Sequence, residues 1–140
     1  IVAAAAGRPA EADAFFARAV AQGPSLSKAE EAWSRALLDR GDAAGALREA
    51  RSAVAKSLRW PDAHRAEGRA LHALHKDAEA AKAYAAAAAL TPNWGALDLD
   101  WGIALAAQGD RAAAMAKWRT AAALDLSPAD RARLGALIKG

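Results

Sequence analysis

Apolar positions recur at helical spacing along the chain. Over Arg8–Gln22, Ala12, Phe16, Ala19 and Val20 follow i, i+4, i+7 and i+8, which is one face of a helix. Over Ser27–Arg40, Trp33 and Leu37 stand one turn apart in the same way. Gly41-Asp42 and Gly109-Asp110 interrupt the pattern, glycine supplying the left-handed conformation that ends a helix. Pro24, Pro61, Pro92 and Pro128 bar helix continuation at wider intervals. Ser27 and Asp62 are the expected N-caps of the helices that follow. The reading is a series of helices of about 14 residues, roughly 21 Å each, joined in pairs by short turns.

The pairs repeat. A shift of 34 residues superposes Gly7, Gly41, His75 and Gly109 without gaps. The same shift aligns Ala12, Ala46, Ala80 and Ala114, and then a mostly aromatic column of Phe16, Ala50, Tyr84 and Trp118. A further column holds Ala19, Ala53, Ala87 and Ala121. Ahead of each glycine position stand Trp33-Ser34 with Leu37, Glu67-Gly68 with Leu71, and Trp101-Gly102 with Leu105. Alanine lets two helix backbones cross closely, and the aromatic column fills the space beside the crossing. A lone hairpin cannot bury such a face, so the hairpins must stack into a solenoid.

These columns resemble the tetratricopeptide repeat, a helix–turn–helix unit of this length. The family's Leu-Gly pair is echoed by Trp101-Gly102, Glu67-Gly68 and Trp33-Ser34. Its Ala-x-x-x-aromatic step appears as Ala12/Phe16, Ala80/Tyr84 and Ala114/Trp118, and its following alanine and closing proline as Ala19 with Pro24 and Ala87 with Pro92. Three features depart from the pattern. Glu30, His64 and Asp98 replace the tryptophan expected near the start of each unit, Ala50 replaces an aromatic, and Leu58 and Leu126 replace prolines. The resemblance implies an all-α fold, an α-solenoid of antiparallel hairpins in a right-handed superhelix. It divides the chain into one module: a partial first repeat over 1–26, full repeats over 27–60, 61–94 and 95–128, and a capping helix over 129–140. Ile1–Ala6 aligns with the tail of a first helix, so either further repeats or another domain are expected ahead of it, or the first helix is disordered.

The resemblance also implies that the first helix of each unit lines a concave groove. Opposite the Trp33/Leu37 stripe lie Lys28, Glu31, Arg35 and Leu38. The next unit offers Asp62, Arg65, Arg69 and His72, and the third Ala96, Leu99, Ile103 and Ala106. The groove is therefore expected to run from polar and basic to apolar. Arg65 and Arg69 are one turn apart, a spacing that costs a few tenths of a kcal/mol between like charges and that an acidic ligand would relieve. The alternative is that they are surface arginines satisfied by Asp62 or Glu31. Leu99 and Ile103 either form an exposed apolar pocket or lie half-buried against the capping helix. The expected partner is a protein or peptide with acidic and apolar parts. The lysine and asparagine clamp of chaperone-binding relatives has no counterpart here. Trp60 and Trp94 share a column before successive first helices and are read as staples of the turn, with contact residues as the alternative. Trp33, Trp101 and Trp118 are read as core.

Composition narrows the chemistry. Of the 140 residues, 54% are hydrophobic, mostly alanine, the strongest helix former. The apolar run Ala85–Leu90 is far too short to span a membrane. Without cysteine there are no disulfides or thiolate sites, and a net charge of +3 with interspersed signs is not a nucleic-acid footprint. His72 and His75 are spaced for half a metal site, but His64 lies roughly 16 Å along the axis from His75. No nucleophile–base set and no phosphate-cradling glycine loop stands out. The expectation is a non-enzymatic interaction module without cofactor or metal. Self-association through the open front face, or service as an accessory domain of a longer enzyme, are the alternatives.

Overall fold

The computed structural model describes residues 9–22 and 27–140. The described residues form eight helices and no strand: α1 Pro9–Gln22, α2 Lys28–Asp39, α3 Ala43–Lys56, α4 Pro61–Ala73, α5 Asp77–Leu90, α6 Gly95–Ala107, α7 Arg111–Ala122 and α8 Pro128–Lys139. Ile1–Ala6, Gly7 and Pro24, used above, lie outside the described residues. Helices pair as hairpins α2/α3, α4/α5 and α6/α7, and each second helix packs on the next first helix. First helices also meet one another, α2 with α4 and α4 with α6, so they share one wall of a solenoid. At its end α8 packs on α7 and α6, taking the place of a further first helix.

The turn column has a single backbone reason. Gly41 (φ 88°), His75 (φ 61°) and Gly109 (φ 87°) are all left-handed. In each case the following N–H reaches back over the last turn: Asp42 N to Leu37 O (2.8 Å), Lys76 N to Leu71 O (2.9 Å), Asp110 N to Leu105 O (3.0 Å). This is the bond pattern that a left-handed residue permits at a helix end. The next helix starts at once, its N-terminus capped by Asp42, which accepts from Gly45 N (2.9 Å), or by Asp110, which accepts from Ala113 N (3.0 Å). The expected caps differ. Ser27 holds the N-cap position of α2 without a side-chain bond, and Asp62 falls inside the first turn of α4, whose N-cap is Trp60 followed by Pro61. Proline there is already set for the helix and needs no N–H, so it moves the start forward.

The alanine columns are buried at the crossings: Ala12, Ala46, Ala80 and Ala114, then Ala53, Ala87 and Ala121. Beside them a small residue and a ring meet in the α4/α5 and α6/α7 hairpins. A Cβ on Gly68 would come 2.5 Å from the Tyr84 ring, and one on Gly102 would come 2.2 Å from Trp118 Nε1. In the hairpin where Ala50 replaces the ring, there is room for Ser34, whose hydroxyl donates to Ala46 O (2.7 Å). Volume in one column is thus exchanged for volume in the other, as close packing requires. Of the three core tryptophans expected, Trp118 is fully buried, whereas Trp33 and Trp101 are half-buried against the core. Trp33 Nε1 donates to Asp13 (2.8 Å) and its ring stacks on Phe16 at 6.1 Å.

The column that departs from the repeat family's tryptophan is polar but not loose. Glu30 is buried in α2, accepts from the Ser52 hydroxyl of α3, and lies 2.7 Å from Lys56 Nζ as an ion pair. The His64 ring nitrogen Nε2 bonds to Leu58 O at 2.6 Å, a bond in which the ring must donate. Asp98 is buried as well, and burial pushes its carboxyl above the usual range against the pull of Lys117. Lys117 itself lies over the Trp101 ring, 3.7 Å from its centroid.

Two outcomes follow from this packing. Gly102→Ala should lower stability by about 1–3 kcal/mol, because the added methyl overpacks against Trp118; an unchanged urea midpoint would contradict the contact. Asp98 binds its proton more tightly folded than unfolded, so its contribution to stability is present at low pH and is lost as pH rises through its raised folded value. Asp98→Asn should therefore melt above the parent near neutral pH, with the gap closing on acidification, as followed by circular dichroism. A gap independent of pH would show that the burial of charge is not the cause.

Candidate binding groove

The shared wall of α2, α4 and α6 carries two adjoining hollows. The first, about 270 Å³, is lined by Glu31, Arg35, Asp62, Arg65, Ala66, Arg69 and Trp94. The second, about 240 Å³, is lined by Leu38, Arg69, His72, Ala73, Tyr84, Asp100, Ile103 and Arg133. Arg69 belongs to both. Of the residues expected to face a ligand, Glu31, Arg35, Leu38, Arg65, Arg69, His72 and Ile103 are thus brought onto one surface. Lys28 is exposed at the start of α2 and lines neither hollow.

Leu99 does not belong there. It is 1% exposed and packs with Ala114, Trp118, Ala121 and Leu134, while its carbonyl accepts from Trp118 Nε1 at 3.2 Å. The reason is positional. Glu31, Arg65 and Leu99 form one column at the seam where each first helix is covered by the next, the side chains of Glu31 and Arg65 13% and 25% exposed and Leu99 as a whole 1%. For α6 the covering helix is α8, which brings Leu134 over the seam. The column one turn on, Arg35, Arg69 and Ile103, faces outward from the wall.

Arg65 is paired across the seam. Its Nε donates to Asp100 Oδ2 at 2.8 Å, not to Asp62 or Glu31, and its guanidinium lies 5.2 Å from the centroid of the Trp94 ring. Asp100 is buried, so removing Arg65 would strand a charge away from water. Arg65 is therefore a strut between the second and third units that also lines the first hollow, held by Asp100 where Asp62 or Glu31 was the expected partner. Arg35 pairs with Glu31 through its Nε at 2.8 Å. The Glu31 carboxyl is pushed up by burial, with Arg35 pulling the other way. His72 Nδ1 is 2.5 Å from Asp77 Oδ1, which ties α4 to α5 across their turn. Arg69 makes no ion pair or hydrogen bond among the described residues.

Three groove residues escape a reading by helical spacing. Asp100 occupies a column that otherwise holds Ala32 and Ala66, and that exchange of alanine for an acid is the available signal. Arg133 stands one more 34-residue step along the column of Glu31, Arg65 and Leu99; treating the last helix as a cap hides it. Trp94, read as a staple, packs against the core and also lines the first hollow. Among the described residues no three His, Asp or Glu side chains converge as metal ligands, and no helix is long and apolar enough to cross a membrane.

No protein-family model and no curated protein matches the chain. Solved structures do. TTC0263, a thermophilic tetratricopeptide repeat protein of Thermus thermophilus, is 26% identical over 96% of this chain and 75% of its own, with a TM-score of 0.83. Two structures of MamA are similar in fold: one at 15% identity over 85% of this chain and 70% of its own (TM-score 0.76), the other at 18% over 90% and 74% (TM-score 0.74). Left-handed turn residues every 34 positions, alanine crossings, small residues seated against rings and this shared path of the chain lead to one conclusion: the chain has the fold of the tetratricopeptide repeat proteins, an all-α right-handed solenoid.

Proposed function

We propose that this chain is an adaptor whose inner wall, formed by α2, α4 and α6, grips an extended or helical segment of a partner protein. The fold is that of a protein-interaction scaffold, and the observation that carries the finer reading is Arg69. It sits where the two hollows join, it has no ionic partner among the described residues, and half-buried apolar residues flank it. A guanidinium presents a planar fork of donors that fits a carboxylate. Leu38 and Ile103 supply an apolar surface beside it, half-buried rather than lost in the core. A partner segment bearing acidic and apolar side chains complements such a wall in both charge and character.

The outward column supplies the test. Arg35→Glu with Arg69→Glu reverses charge on the open wall while sparing the Arg65–Asp100 strut. Arg35 is a surface pair with Glu31, worth under about 1 kcal/mol, so the fold should hold. Capture of a partner from lysate of the source cell should fall about tenfold or more, with helicity and melting temperature close to the parent. Lys28→Glu, outside both hollows, should capture normally. Undiminished capture by the double variant would discard the groove.

A further inference from the structure

We infer that the acidic and the apolar part of the partner are neighbours in its sequence, and that the hollow receiving both is completed by Arg133 of the last helix. This rests on the groove reading above and makes it more specific. The sequence pattern places basic residues at one end of the wall and apolar ones at the other, which would call for a long, two-part ligand. The ion pairs change that picture. In the first hollow the charges answer one another: Arg35 is held by Glu31 at 2.8 Å, and Arg65 is drawn away to Asp100. In the second hollow Arg69 and Arg133 face a single carboxylate, Asp100, which is already bonded to Arg65 at 2.8 Å.

Arg133 holds Asp100 only at 3.9 Å and Asp130 at 3.5 Å, and its side chain is about half exposed. Both contacts are longer than a charge-assisted hydrogen bond. The surplus positive charge of the wall therefore lies in the second hollow, together with Leu38, Ala73 and Ile103. His72, which also lines it, is engaged by Asp77 and adds no free donor at Nδ1. A carboxylate between Arg69 and Arg133 would put the adjoining side chain of its own peptide over the aliphatic residues. The occupant is a short acidic–aliphatic step in an exposed segment of another protein.

Two acetylated and amidated pentapeptides of the same composition separate the possibilities: Ser-Glu-Leu-Ser-Ser, with the acid and leucine adjacent, and Glu-Ser-Ser-Ser-Leu, with them apart. Each is titrated at millimolar concentration into the isotope-labelled chain and followed by amide chemical shifts. The adjacent peptide should bind more tightly, with shifts on α4, α6 and α8. Arg133→Gln should weaken it about tenfold, the loss of one charge-assisted contact. Equal or tighter binding of the separated peptide, indifference to Arg133→Gln, or no binding of either peptide would overturn the inference. The groove itself is judged by capture with the Arg35 and Arg69 reversals, so it can stand if this step fails.

Discussion

The close approach of two helices within each hairpin is the constraint on which the rest depends. Gly68 lies against the Tyr84 ring and Gly102 against the Trp118 indole, with no room for a methyl group between. That contact sets how near the first helix lies to the second. Alanines buried along the second helices keep their other crossings close as well. Repeating two fixed spacings brings successive first helices side by side, and their outward columns become a wall. Were the crossings wider, Arg65 would not reach Asp100 thirty-five positions away, and the two hollows would not share Arg69.

Much of this is legible in the sequence. The turn column is visible as glycine, and its backbone conformation holds even at His75, where the residue is not glycine. The crossings are visible as alanine, because only small residues are compatible with them. The wall is half legible. Helical spacing puts Arg35, Arg69, Leu38 and Ile103 on one stripe, and they do face outward. The same spacing cannot tell a stripe that faces solvent from the stripe beside it that meets the next helix. Arg65 and Leu99 fall on the wrong side of that line, one as a strut and the other as core.

The partners of buried charges are the least legible part. Asp100 and Arg133 become groove residues only when units beyond their own are in place, and contacts across 35 or so positions leave no local trace. Glu30 shows the same limit. An acid in the tryptophan position reads as a defect in the repeat, yet Ser52 and Lys56 close on it within the hairpin. Asp98, in the next equivalent position but one, has no such closure and carries the electrostatic cost of burial. The resemblance to a repeat family predicts the frame, and the departures from it mark where this chain has solved packing with charge.

The central claim is that the wall of first helices, and not the outer helices, is the working surface. Amide hydrogen exchange on the chain, alone and with its captured partner, addresses this directly. Added protection is expected on α2, α4, α6 and α8, with α3, α5 and α7 exchanging as before. Protection gained mainly on the second helices, or on α1 alone, would contradict it.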